Sequence, residues 1–131
     1  MSEFVTRQQV IFVDDDDALR AATVQSLELA DLDVRAFADA ETALAEIDAD
    51  FTGAVVTDIR MPRLDGLEFF ARIRDIDREI PVLLITGHAD VPMAIGALKD
   101  GAFDFLAKPY AADHLIASAR KALETRRLVL D

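Results

Sequence analysis

Five times along this chain a short apolar run breaks off at a polar residue and gives way to a helical pattern. The runs cover residues 9–13, 33–37, 54–57, 81–86 and 103–107; most are rich in Val, Ile, Leu and Phe, while Asp33-Val34-Arg35-Ala36-Phe37 alternates polar and apolar. Each has the length of a strand rather than of a buried helix. The run Pro81-Val82-Leu83-Leu84-Ile85-Thr86 is apolar without alternation, as in a strand buried on both faces in the middle of a parallel sheet. Three of the helical patterns begin at acids that suit a cap, Asp16 or Asp17, Asp39 and Asp90, and the third helix follows Asp65-Gly66. Pro92 lies in the first turn of the fourth helix and Gly101 ends it. Strand-helix alternation of this kind requires a parallel sheet with right-handed crossovers and helices on both faces. With five units in 131 residues, an open α/β doubly wound (βα)5 sandwich is expected, not a closed barrel.

Apolar spacing predicts the buried faces. They are Leu19, Ala22, Thr23, Ser26, Leu27 and Ala30 in the first helix, and Ala40, Leu44 and Ile47 in the second. Leu67, Phe70, Ile73 and Ile76 turn inward in the third. The last helix runs from about residue 111 to near the end, with Leu115, Ile116, Ala119, Ala122 and Leu123 inward. One domain is expected over residues 1–131, with helix 111–131 continuing into a linker of a longer protein.

Composition removes several functions. The chain has no Cys, so no disulfide framework, thiol catalyst or zinc-thiolate site is expected. No apolar run reaches the ~18 residues of a membrane span. Met1-Ser2-Glu3-Phe4 does not read as the start of a secretory signal, which makes the cytoplasm the expected location. A net charge of -11 argues against direct contact with nucleic acid and favours divalent cations or basic protein surfaces. Arg120, Lys121, Arg126 and Arg127 make only the last segment locally basic.

In a parallel sheet of this kind, ligands bind at the carboxyl ends of the strands. The first strand ends at Asp14-Asp15, the third at Asp58, the fourth at Thr86-Gly87 and the fifth at Lys108-Pro109. Three carboxylates, a hydroxyl and an ammonium therefore converge on one edge. Clustered carboxylates repel unless a cation sits among them, and an all-oxygen set favours a hard ion such as Mg²⁺. A carboxylate flanked by such an ion and a lysine can attack phosphorus. Each residue alone has a plainer explanation. The run Asp14-Asp15-Asp16-Asp17 can be caps and a solvated turn, Asp58 a turn residue, Thr86 a strand end. The joint placement is the signal.

In order, Val13-Asp14-Asp15-Asp16, Asp58-Ile59-Arg60-Met61-Pro62, Asp65-Gly66, Thr86-Gly87, Gly101-Ala102 and Lys108-Pro109 resemble the response-regulator receiver domain of two-component signalling, over essentially the whole chain. The resemblance implies the flavodoxin-like strand order 2-1-3-4-5. It implies Asp58 as phosphoacceptor, with Mg²⁺ (or Mn²⁺) held by Asp14, Asp15, Asp58 and the main-chain carbonyl of Arg60. Thr86 and Lys108 would contact the phosphoryl oxygens, Phe105 would be the switch aromatic, and the Lys108–Pro109 bond would be cis. A sensor histidine kinase would be the phosphodonor, and the changed surface would lie on the fourth helix, fifth strand and fifth helix. Such a domain is a switch that takes up and loses a phosphoryl group, not a turnover enzyme.

Thr86-Gly87-His88-Ala89-Asp90-Val91-Pro92-Met93-Ala94-Ile95 and Gly101-Ala102-Phe103-Asp104-Phe105 also resemble receivers of sigma-54-dependent transcriptional activators, the C4-dicarboxylate transport regulators among them. In such proteins an ATPase module and a DNA-binding module follow the receiver. A homodimer is expected, and Ile116, Leu123 and Leu130 recur every seven residues, though over too short a stretch to define a coiled coil.

Two other function classes fit less well. A phosphohydrolase with an aspartyl-phosphate intermediate would carry its nucleophile after the first strand and enclose a substrate pocket. A flavodoxin-like cofactor binder needs Gly, Ser and Thr where this chain has Asp14 to Asp17. His88 and His114 lie in polar settings without a second ligand nearby and are expected to be exposed and idle. Arg60 and Arg63 flank the site, in what could equally be a solvated loop. Met61 and Met93 read as packing residues. Gly96 inside the fourth helix costs about 0.5–1 kcal/mol relative to Ala and marks that helix as marginally stable, unless the glycine is there for close packing.

Overall fold

A computed structural model describes residues 8–130. The N-terminal stretch Met1-Ser2-Glu3-Phe4 and the outermost ends of the 1–131 domain and of helix 111–131 lie outside the described residues. Five strands, β1 (Val10–Val13), β2 (Val34–Phe37), β3 (Ala54–Asp58), β4 (Val82–Thr86) and β5 (Asp104–Ala107), form one parallel sheet. Their order is β2-β1-β3-β4-β5. The helices are α1 (Asp17–Leu29), α2 (Ala40–Leu44), α3 (Gly66–Ile76), α4 (Val91–Lys99) and α5 (Ala112–Leu130), with a 3₁₀ turn (His88–Asp90) leading into α4. The receiver order therefore holds.

The three central strands are buried throughout, whereas β2 lies at an edge and is half-exposed. Two apolar clusters flank the sheet. One joins Ile11, Val13, Val55, Ile59, Val82 and Leu84 to the inner faces of α2, α3 and α4. The other joins Val10, Phe12, Val56, Leu83, Ile85 and Leu106 to α1 and α5. Neighbouring residues of a strand thus serve opposite faces, as the pleat demands.

Two of the three expected acid caps act, and Asp65 caps as well. Asp16 accepts the Leu19 amide (3.0 Å), Asp39 the Thr42 amide (2.7 Å) and Asp65 the Glu68 amide (2.9 Å). Asp90 occupies the N-cap position of α4 but makes no capping bond, because its carboxylate is engaged elsewhere.

Several predicted faces shift by one position. In α1 only Thr23 and Leu27 are buried; Ala22 and Ser26 line an apolar groove of about 460 Å³ against α5. In α3 Phe69 joins Phe70 and Ile73, because that helix packs under both the sheet and α2. Met61 is buried, but Met93 is 38% exposed and does not fill a gap. The largest correction concerns Arg126. Absent from the expected inner face, it is fully buried on the inner stripe of α5 with Leu115, Ser118, Ala119, Ala122 and Leu123. Gly96 has open space where a Cβ would sit, so close packing does not explain it.

Candidate functional site

β1 and β3 are adjacent and in register from Val10↔Ala54 to Val13↔Thr57, so Asp14 and Asp58 leave the sheet side by side. Asp14 follows four buried residues and is itself 1% exposed; Asp58 is 5% exposed, and Asp15 is open to solvent. Ligand oxygens of Asp14, Asp15 and Asp58 lie within 4.8 Å of one another. The Asp16 amide donates to Asp14 Oδ1 (2.9 Å) and Arg20 Nη1 donates to the Asp14 carbonyl (2.8 Å), fixing the acidic loop. Asp14 Oδ2 is buried without a partner. Burial, together with the charges of Asp58 and Asp15, raises the Asp14 pKa against the pull of the Asp16 amide and Lys108.

β5 supplies the cation. The Lys108 amide donates to the Thr86 carbonyl (2.8 Å), which seats the end of β5 against β4, and its Nζ donates to Asp58 Oδ2 (2.7 Å). Burial pulls the Lys108 pKa down, but the hydrogen bond and charge of Asp58, with Asp14 behind it, outweigh this and leave it raised. The Lys108–Pro109 peptide is cis. Beyond it, Tyr110 shares a hydrogen bond with Thr23 (3.0 Å), tying the β5–α5 loop to α1.

The β3–α3 loop closes the site from below. The Gly66 amide donates to the Ile59 carbonyl (2.8 Å), and a Cβ at position 66 would collide with the Asp58 carbonyl oxygen. Only glycine lets α3 start this close to the strand that carries Asp58. The Arg60 amide sits 3.4 Å from Asp58 Oδ1. Its side chain reaches away, donating through Nε and Nη2 to both oxygens of Asp90 (2.7 Å each). Arg63, at φ 65°, pairs with Glu41 (3.2 Å).

Asp14, Asp15, Asp58 and Lys108 are therefore brought together. Thr86 lies at the same edge, fully buried, but its hydroxyl donates to the Gly87 carbonyl (2.9 Å). Phe105 is half-buried against the α3/α4 side of the core. His88 and His114 are exposed and belong to no metal-ligating group among the described residues. The Arg60–Asp90 pair was not foreseen: the two residues are thirty positions apart, and both had plainer local explanations.

Three acids around a buried carboxylate oxygen that lacks a partner form an all-oxygen, electron-rich pocket able to take a hard divalent cation. No helix among the described residues is long and apolar enough to cross a membrane.

Comparison with known proteins agrees with this geometry. Residues 10–120 match the response regulator receiver domain family. The chain is 54% identical over 122 residues to the C4-dicarboxylate transport transcriptional regulatory protein DctD of Rhizobium meliloti, covering 93% of this chain and 26% of that protein. It is 48% identical over 128 residues to DctD of Pseudomonas aeruginosa, covering 98% of this chain and 28% of the relative. The chain thus spans about a quarter of the length of these two relatives. A response regulator receiver domain protein from Clostridium thermocellum superposes with a TM-score of 0.86 at 27% identity, over 93% of this chain and 98% of that one. The chain belongs to the response regulator receiver domain family, and is the phosphoacceptor switch domain of a two-component response regulator.

Proposed function

We propose that Asp58 is the phosphoacceptor and that a sensor histidine kinase is its donor. One Asp58 carboxylate oxygen attacks the phosphorus of a phosphohistidine. The P–O bond forms as the P–N bond breaks, and the electron pair goes to the imidazole nitrogen, which takes up a proton. Water later attacks the acyl phosphate, releasing inorganic phosphate and restoring the carboxylate. The observation that carries this assignment is the cluster itself: Asp58, 5% exposed, with Lys108 Nζ at 2.7 Å and Asp14 and Asp15 beside it.

Mg²⁺, or Mn²⁺ in its place, would be held by Asp14, Asp15, Asp58 and the Arg60 main-chain carbonyl, and supplies neutralising charge for the phosphoryl oxygens. Lys108 already contacts one Asp58 oxygen and would follow the charge onto the phosphoryl group. Thr86 would exchange its Gly87 carbonyl for a phosphoryl oxygen, and Phe105 would repack as β4 and β5 adjust. The readout surface is α4, β5 and α5.

The relatives' further length supports a larger protein in which the receiver occupies residues 1–131 and α5 leads into a linker. By the same likeness it would control a sigma-54-type ATPase module and a DNA-binding module, as a homodimer in the cytoplasm. The domain itself makes no nucleic-acid contact, in keeping with its net charge of -11.

The test is intact mass after incubation with Mg²⁺ and acetyl phosphate. One added phosphoryl group that Asp58→Ala abolishes is the expected result. Unchanged mass with turnover of a phosphate ester would mean a phosphohydrolase instead.

A further inference from the structure

Asp90 is the exception among the helix-starting aspartates. Asp16, Asp39 and Asp65 have extended backbones (ψ 109°, 157° and 173°) and each caps its helix. Asp90 sits at φ −103°, ψ 5°, so the 3₁₀ turn His88–Asp90 runs straight into α4 and no side chain caps the helix. Its carboxylate is instead gripped from both oxygens by Arg60, two residues beyond Asp58. Asp90 is 6% exposed, whereas the Arg60 side chain is 73% exposed and can turn without leaving a cavity. Pro92 offers no amide at the second helical position, so the donor a capping Asp90 would take is the Met93 N–H.

A phosphoryl group on Asp58 changes the competition for Arg60. It brings roughly −1.5 to −2 of charge, against −1 on Asp90, and three acceptor oxygens. The Arg60 backbone is already at the site, its amide 3.4 Å from Asp58 Oδ1. Arg63, in the same loop, pairs with Glu41 (3.2 Å) and more distantly with Asp39 (4.0 Å), both at the start of α2, and has no ion pair to α4 among the described residues, which makes it a control.

We propose that Arg60 and Asp90 form a two-position latch between the phosphorylation site and α4. Arg60 holds Asp90 while Asp58 is bare. When Asp58 carries a phosphoryl group, Arg60 turns to the phosphoryl oxygens and Asp90 is released to cap α4 at Met93. This rests on Asp58 as phosphoacceptor. Capping requires an extended backbone at Asp90, so the 3₁₀ turn opens there and the first turn of α4, which carries exposed Met93, is reset.

Solution NMR on this chain tests the latch, with Met93 amide exchange and the Arg60 Nε–H resonance as readouts. With Mg²⁺ and acetyl phosphate, Met93 exchange slows about fivefold, the protection of one side-chain cap, and the Arg60 resonance moves. Without donor, Arg60→Gln and Asp90→Asn show the same slowing, because each leaves a capping group free. Asp90→Ala shows it neither with donor nor without, and Arg63→Gln behaves as the unaltered protein. If Arg60→Gln leaves Met93 exchange unchanged, the latch is wrong. If a phosphoryl group adds by intact mass while Met93 and Arg60 stay still, the latch alone is overturned. If none adds, the phosphoacceptor assignment falls and the trigger with it.

Discussion

Two ion pairs, at opposite edges of the same sheet, show how one fold uses buried charge in two ways. At the carboxyl edge, Lys108 meets Asp58 at 2.7 Å, with Asp14 beside them and one Asp14 oxygen unpartnered. At the other edge, Arg126 meets Asp77 at 3.1 Å. The Arg126 Nε also donates to the Phe51 carbonyl (2.8 Å) and its Nη2 to the Ala49 carbonyl (3.0 Å). The Arg126 guanidinium spreads its charge over three partners from the α2–β3 loop and the end of α3. The carboxyl edge has more acid than its one lysine can balance. Surplus charge leaves a site able to take a cation and a phosphoryl group; matched charge makes a clamp.

The largest effect should come from breaking the clamp. Arg126→Met keeps much of the buried volume but strands the Phe51 and Ala49 carbonyls. Hydrogen bonds to a charged group are worth about 1.5–3 kcal/mol each, so a loss of about 3 kcal/mol is expected in denaturant unfolding. Asp77 is 27% exposed and can turn to water, which keeps the loss below that of a stranded ion pair. The surviving folded fraction should still take up phosphoryl from acetyl phosphate, because no element of the site contacts Arg126. Loss of phosphorylation in protein that remains folded would deny the separation of the two edges.

The same operation at the other edge should have the opposite sign. Asp14→Asn removes one of the crowded acids while keeping its shape. Stability without divalent ions should rise by about 1 kcal/mol, the usual yield of relaxing a functional site. Divalent cations should stabilise the unaltered protein by about 2.7 kcal/mol at a hundredfold excess over Kd, and Asp14→Asn hardly at all. Thermal unfolding with and without Mg²⁺ reads both numbers. A destabilised, Mg²⁺-responsive Asp14→Asn would mean that the acids are held by partners other than a cation.

The difference between the edges also explains what could be read from the chain beforehand. The strand ends declare the site because strand position is a local property: Asp14, Asp58, Thr86 and Lys108 each terminate an apolar run. The parallel sheet follows from the alternation, whereas the strand order 2-1-3-4-5 comes only from the family likeness. Arg126 counts by its charge among the basic residues of the last segment and is missing from the expected inner face, although the spacing Leu115, Ala119, Ala122, Arg126 places it on the buried stripe. Asp90 was misjudged because capping is the local default, and its true partner comes from a loop thirty residues away. The Thr86 hydroxyl was expected to point at the site, but the neighbouring Gly87 carbonyl competes for it. Long-range pairing decides these cases, and no window of sequence contains it.

Acid titration sharpens the comparison from the clamp side. The Asp77 carboxyl is held below its usual pKa, first by the Glu79 amide at 2.9 Å and then by Arg126. A depressed folded-state pKa contributes stability that is present above the unfolded value, near 3.9, and is lost as pH falls through the folded one. Asp77→Asn should therefore lower stability by about 1 kcal/mol at neutral pH and flatten the acid limb of a stability-versus-pH curve below pH ~4. Parallel acid limbs for the two proteins would show that Asp77 carries no such linkage.

Gly96→Ala is the mildest change and probes the surface through which the site is meant to speak. A Cβ at position 96 meets nothing within 4 Å, so the methyl adds no clash and fills no void. What remains is backbone entropy, and alanine should stabilise α4 by about 0.5–1 kcal/mol. If α4 is poised between two arrangements, that gain should slow amide exchange across Val91–Lys99 and weaken phosphorylation-dependent dimerisation, while phosphoryl uptake at Asp58 is unaltered. Unchanged exchange together with unchanged dimerisation would mean that α4 is as settled as the Arg126 clamp, and that the mobile element lies elsewhere on the α4–β5–α5 face.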